Sequence, residues 1–266
     1  MRTRPRWYTY AIAAIVGALL IAPTLVVIGM SVTSSGILQF PPQGFSLRWY
    51  HHFLNSAAWT RGLLTSLKVA LLVTVLATAL GTMAAIALVR GRFPFSKVVN
   101  GILFSPLIVP FVVIALGMYL TYGHAHISGS ITGLVIAHTP LAMPFVVINV
   151  AAGLRMMDWD LVLAARSLGA GPMQAFGRVI APQVLPSIMA GALFAFMTSW
   201  DELVVAIFLT SPLVKTLPVV MWEQVRSYVD PTIAAVATLL TLVTVVLFAL
   251  IAVLNRRVNK QLRSAE

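Results

Sequence analysis

The chain of 266 residues contains no cysteine. Disulfides, thiol catalysis and thiolate metal sites are thereby excluded, while the compartment stays open. Acidic residues are nearly as scarce, with 7 Asp and Glu against 18 Lys and Arg, and charged residues make up only 9% of the chain. At 59% hydrophobic and a mean hydropathy of +0.94, the sequence has too little polar surface for a soluble domain, which leaves the membrane class. No polar stretch is long enough to bury a core of its own, so one transmembrane domain over residues 1–266 is expected. A Gly-Lys-Ser/Thr phosphate loop is also missing, which excludes the usual nucleotide cradle. No convincing nucleophile–base pair or metal constellation points to an intramembrane enzyme, and no catalytic or metal-binding residue is assigned.

What is present is a set of six apolar runs, near residues 8–32, 63–89, 98–120, 131–154, 184–209 and 232–254. A hydrocarbon core of ~30 Å needs about 20 apolar residues, and only a helix satisfies its own backbone there, so the expected fold is all-α and polytopic with six transmembrane helices. The first run is longer than the ~7–15 residues of a secretory apolar region, and a retained helix is expected. The net charge of +11 reads as orientation. In alternate loops Arg2, Arg4, Arg6, Arg90, Arg92, Lys97, Arg155, Arg166, Arg178, Arg256, Arg257, Lys260 and Arg263 fall on one side. Only Arg48, Arg61, Lys215 and Arg226 fall on the other, with Lys68 at a span edge. Both termini and the loop near 155–183 are therefore expected in the cytoplasm, with no nucleic-acid partner.

Within the spans, Pro106, Pro110, Pro140 and Pro144 predict kinks covered by other helices or a watery cavity. Gly81 with Ala77, Ala84 and Ala85 gives the second span a small-residue face for close packing. Trp49, Tyr50 and Phe53 predict a short helix lying in the outer headgroup layer.

The insert between the fourth and fifth spans, residues 161–183, is amphipathic. Leu161, Ala164, Ala165 and Leu168 follow the i, i+3, i+4, i+7 spacing of one helical stripe. Gly169 and Gly171 interrupt it, Pro172 suits the first position of a second helix, and Phe176, Val179 and Ile180 repeat the apolar spacing before Pro182. The expectation is a helix–turn–helix hairpin with an exposed apolar face.

Asp201 and Glu202 stand in the outer half of the fifth span, where a carboxylate at mid-span costs about 2.5–3.5 kcal/mol and usually faces a cavity or partner. They are candidates for lining a cation pathway with Trp200 as a π face; a structural kink or a hydrogen bond to a neighbouring helix is the other reading. Neighbouring helical residues diverge by about 100°, so one of the two is expected to face the path. Trp222, Glu223 and Tyr228, with Asp230, repeat the aromatic–acidic chemistry in the outer segment 213–231, suited to an alkylammonium or to a gate or docking rim. His124, His126, His51 and His52 read as surface histidines. His138, beside the Pro140 break, reads as a pathway residue or as a buried imidazole bonded to a freed carbonyl.

The insert resembles the cytoplasmic loop of ABC importer permeases that carries a Glu-Ala-Ala, three-residue, Gly pattern, here Ala164-Ala165, Gly169, Phe176, Ile180 and Pro182. Position 163, usually Glu, is Leu, so a polar contact is lost while the apolar face stays intact. The stretches 45–50, 66–70, 81–85, 109–110, 144–147, 199–205, 216–219 and 230–235 are similar in order to stations of the spermidine/putrescine-type permease. The resemblance implies the type I importer fold, a bacterial inner-membrane location, a companion permease, two ATP-binding cassette subunits that hold ATP and Mg, and an extracytoplasmic substrate-binding protein. No cofactor is expected in this chain. Leu161, Ala164, Ala165, Leu168, Gly169 and Phe176 become the expected coupling contact to the ATPase, and a polyamine or related small organic solute the expected substrate. The alternative is a self-contained secondary transporter or channel with Asp201 and Glu202 as ion-coupling groups.

Overall fold

In the computed structural model, which describes residues 7–91 and 95–263, all regular structure is helical. Arg2, Arg4, Arg6 and Arg92 of the charge argument lie outside the described residues, and Arg256, Arg257, Lys260 and Arg263 fall where α12 (Thr232–Arg263) is described by its backbone alone. Two compact units are distinguished, one combining the chain up to Thr60 with Val220–Val245, the other combining Arg61–Val219 with the chain from Val246.

In the first unit, α1 (Trp7–Ser31) is apolar around its circumference, and Leu19 and Leu20 are 72% and 71% exposed, a surface that lipid or another helix must cover. The helix α2 (Arg48–Asn55) forms where the aromatic spacing predicts it. Its aromatics also make specific contacts within the unit. Tyr50 Oη lies 2.8 Å from Ser31 Oγ, Trp49 Nε1 donates to the Thr33 carbonyl at 3.0 Å, and Phe53 is buried with its ring tilted on Trp59. The polar tips of Trp and Tyr find partners at the end of α1, so α2 anchors the chain to itself.

The second unit is built around α6 (Ile131–Met156), most of whose residues between Leu134 and Leu154 are buried and which packs chiefly on α9 (Ala181–Trp200). Small residues set the approach. A Cβ on Gly81 of α3 (Ala57–Arg90) would stand 2.7 Å from Val146 Cβ, and one on Gly191 of α9 would stand 3.0 Å from Val146 Cα. Val146 thus fills glycine notches on two neighbours, and Ala77 and Ala85 are buried on the same face of α3. The helix α6 runs unbroken through Pro140 and Pro144, whose flanks it buries against this packing.

Among the described residues five helices are long and apolar enough to span a membrane, and a bent pair brings the number to six when it is counted as one span. The third expected span is that pair: α4 (Ser96–Phe104) with its 3-10 extension to Leu107, then α5 (Phe111–His124), at 102°. A straight helix over 98–120 is therefore corrected. Pro110 has no N–H to continue the ladder and disfavours the helical region for Val109, and at about 1.5 Å per residue neither half alone crosses ~30 Å.

The fifth span is also shifted from 184–209. Helix begins at Pro172, with α8 (Pro172–Ala175), a π turn (Phe176–Ile180) and α9 continuous to Trp200. The Ala181 N–H bonds the Phe176 carbonyl, and this widened turn carries the helix past Pro182, so the insert does not end there. The far end stops at Trp200, and α10 (Val204–Leu209) starts anew.

Candidate functional site

The break between α9 and α10 has an identifiable cause in one carboxylate. Glu202 Oε1 accepts the Val205 N–H at 2.8 Å and Oε2 the Ala206 N–H at 2.9 Å. In an uninterrupted helix those two donors would bond the carbonyls of Asp201 and Glu202, so the side chain competes with the backbone and caps a new helix. Glu202 is 5% exposed. His138 of α6 brings Nε2 to 3.4 Å from Glu202 Oε2, and its Nδ1 lies 3.0 Å from Ser199 Oγ. The imidazole is fully buried, with Nδ1 hydrogen-bonded to Ser199 and Nε2 facing Glu202 at ion-pair distance without a hydrogen bond. A serine, an imidazole and a carboxylate in sequence suggest a nucleophile triad, but Ser199 is buried and both Glu202 oxygens are occupied by backbone donors. Holding helices together is what this arrangement does.

Asp201 takes the opposite direction. Its side chain is exposed at the lip of a cleft of about 400 Å³ lined by Phe111, Phe145, Phe194, Met197, Thr198, Leu203 and Val204, with Glu202 at its base. No ion pair to Asp201 is found among the described residues. Phe145 and Phe194 stack at 6.2 Å, and Phe248 meets Phe194 edge-on at 6.2 Å. Trp200 is elsewhere: it is 3% exposed and stacked on Phe196 at 5.4 Å, so it offers no face to the cleft. The aromatic wall was reachable from sequence, because Phe194, Met197 and Thr198 of α9 and Asp201 at its C-terminal cap stand at i, i+3, i+4 and i+7. Phe111 and Phe145 come from distant elements and carry no such signal.

Trp222 and Glu223 lie on α11 (Leu217–Ser227), with Tyr228 just beyond it and 65% exposed. From Val220 onward this helix belongs to the first unit, whereas Asp201 and Glu202 belong to the second. Arg226 sits 4.8 Å over the Trp222 ring, so a cation of the chain itself already covers one π face there. Asp230 caps α12 by accepting the Thr232 N–H at 2.7 Å. His124 Nδ1 lies 2.7 Å from the Leu120 carbonyl. No group of three His, Asp or Glu stands together for a metal among the described residues.

The insert folds as a hairpin whose two halves differ. Helix α7 (Asp160–Ser167) is fixed to the bundle by Val162, 2% exposed, and Arg90 at the end of α3 stacks over Trp159 at 4.6 Å. Leu161, Ala164 and Leu168 of the predicted stripe are exposed, Ala165 is half-buried, and Leu163 and Met173 join the outward face. Phe176, Val179 and Ile180 turn inward onto the core, so the exposed apolar face is made by the first half together with Met173 at the start of the second. Between the halves Gly169 adopts φ +89°, with its N–H donating to Arg166 O and the Ala170 N–H to Ala165 O, both at 3.0 Å. That pair of bonds is the Schellman closure of a helix by a left-handed residue.

Comparison with known proteins decides what kind of molecule carries these features. The family described as binding-protein-dependent transport system inner membrane component matches residues 77–260. The chain belongs to that family. As a member it is a multi-pass inner-membrane permease subunit of an importer, a transport component, and the self-contained transporter or channel is set aside. The permease is 34% identical over 228 residues to the putrescine transport system permease protein PotI of Escherichia coli K12, covering 83% of this chain and 81% of the relative. It is 31% identical over 198 residues to the spermidine/putrescine transport system permease protein PotC of the same organism, covering 74% and 75%. A subunit of a bacterial ABC transporter involved in the import of the acidic polysaccharide alginate superposes with a TM-score of 0.73 at 13% identity, covering 95% of this permease and 99% of that chain. At that identity the likeness establishes the type I importer fold alone.

Proposed function

We propose that this permease conducts a polyamine or a closely related alkylammonium, with the cleft at Asp201 as part of its path. The observation that carries the reading is an exposed carboxylate with no ion-pair partner found, beside three phenylalanines in a cleft of about 400 Å³. An alkylammonium chain matches that lining at both ends of its chemistry, because its methylenes pack on rings and its charged nitrogen meets a carboxylate and π faces. The named relatives transport putrescine and spermidine, which supports the same substrate class. Trp222, Glu223 and Tyr228 belong to the reading as a second aromatic–acidic station.

The assembly we infer holds this chain as one permease domain, a companion permease, two cassette subunits that bind ATP and Mg, and an extracytoplasmic binding protein. Both termini and the insert face the cytoplasm. Leu161, Ala164, Ala165, Leu168 and Gly169 form the contact to a cassette, with Phe176 fixing the second half of the insert to the bundle. An apolar face with Leu168 89% and Met173 82% exposed supports this, since water leaves such a patch uncovered only at a cost. ATP acts by making one cassette state fit this face better than the other, which shifts the bundle between inward-facing and outward-facing forms.

The test is ATP hydrolysis by the co-purified assembly in lipid, with binding protein loaded from a panel of polyamines, amino acids and small anions. Stimulation by a polyamine-loaded protein is the expected result. Stimulation by another solute class alone overturns the substrate, and flux without cassettes overturns the assembly.

A further inference from the structure

We propose that Ser199, His138 and Glu202 form a buried positioning network that sets the break between α9 and α10 and so holds Asp201 at the lip of the cleft. The proposal rests on the reading of Asp201 given above. The residues come from three places: Ser199 from the last turn of α9, His138 from the middle of α6, and Glu202 from the break itself. All three are at most 5% exposed. A carboxylate so deeply placed is tolerable only when its oxygens are engaged, and each Glu202 oxygen accepts one backbone N–H of α10 while the imidazole closes from the third side at 3.4 Å. With Nδ1 engaged by Ser199 Oγ, Nε2 is the ring nitrogen that faces Glu202 Oε2.

The consequence for Asp201 follows from its two neighbours. Trp200 is locked inward on Phe196, and Glu202 is locked inward on α10 and His138. Asp201 closes α9 with its N–H on the Met197 carbonyl at 3.2 Å, which leaves its side chain the outward direction. The same network also sets the opposite wall, because α10 packs along α5, whose first residue, Phe111, lines the cleft. Asp201 is the binding group in this scheme, and Glu202 and His138 are positioning residues that act through it.

The chain lacks cysteine, so Asp201→Cys reports its own position. In the full assembly in lipid, modification of that thiol by a water-soluble maleimide is expected to slow about tenfold when His138→Leu or Glu202→Gln is added, the size of one lost buried polar contact of ~1.4 kcal/mol, with Ser199→Ala giving a smaller change. His138→Gln, which keeps a polar group facing Glu202, is expected to restore the rate. Putrescine uptake provides the second readout. His138→Leu is expected to lower uptake in the parent chain and to have no further effect once Asp201→Asn is present, with cassette co-purification unchanged. Equal effects of His138→Leu on uptake in both backgrounds, or labelling that is indifferent to Ser199, His138 and Glu202, overturn the network. If labelling responds as expected while Asp201→Asn transports putrescine normally, the network stands and the substrate reading of Asp201 fails.

Discussion

A carboxylate without a counter-charge beside aromatic rings is costly to keep, and a bound cation removes that cost. This asymmetry makes Asp201 the residue whose replacement separates transport from folding. Being exposed, it contributes little packing, so Asp201→Asn is expected to leave assembly and basal ATP hydrolysis intact. Uptake of a divalent amine should fall about tenfold or more, matching the ~1.5–3 kcal/mol of a charge-assisted hydrogen bond. Phe194→Leu keeps apolar volume and removes the quadrupole, so a smaller loss is expected, about three- to tenfold from ~0.5–1.5 kcal/mol of cation–π attraction, with Phe194→Tyr near the parent. Uptake assays of the three variants check both expectations, and equal loss in all three would refer the effect to packing. Glu202 differs from its neighbour although both are carboxylates. Sequence alone treats the pair as one feature of a mid-span helix, because the separating force comes from His138, 61 residues away from Ser199 along the chain.

At the scale of elements, backbone conformation and surface are separable in the insert. Gly169 sits at φ +89° with nothing within 4 Å of where a Cβ would stand, so a substitution there meets strain without steric collision. Asn tolerates the left-handed region and β-branched residues do not. Gly169→Asn is therefore expected to keep coupling, and Gly169→Val to lower substrate-stimulated ATP hydrolysis at unchanged binding-protein affinity. Leu168→Asp tests the surface itself: at 89% exposure it should shift the melting temperature little and reduce cassette co-purification strongly. The first half of this insert was legible because its period, its glycine and its proline are local signals. The second half was not, since burial of Phe176, Val179 and Ile180 is decided by the core they meet, and helix continuity through Pro182 depends on a π turn that no spacing rule announces. The same division explains the third span: Pro106 and Pro110 announced a kink, while its size of 102° belongs to the packing.

At the scale of the molecule, a bundle with little charge and no disulfide has to be held by close packing, and membrane helices gain little from hydrophobic association because lipid is equally apolar. The load falls on contacts that exclude lipid, and at Val146 three helices, α3, α6 and α9, meet through glycines with no room for a Cβ. Gly81→Ala would place a methyl 2.7 Å from Val146 Cβ, and Gly191→Ala one 3.0 Å from Val146 Cα. Neither collision is relieved by rotating a side chain, because Cβ and Cα are fixed by the backbone of α6. Each substitution is expected to lower stability by about 1–3 kcal/mol despite the better helix propensity of alanine. The two share a single neighbour, so their effects should couple and not add. Thermal melting of the assembly in lipid, with Gly101→Ala as a control whose Cβ meets nothing within 4 Å, measures this directly. A loss at Gly81 and Gly191 with none at Gly101 is the expected pattern. Shortening Val146 to Ala should not rescue Gly81→Ala, since the offending Cβ remains, and rescue by that change would move the critical contact from the backbone-fixed atom to the isopropyl group.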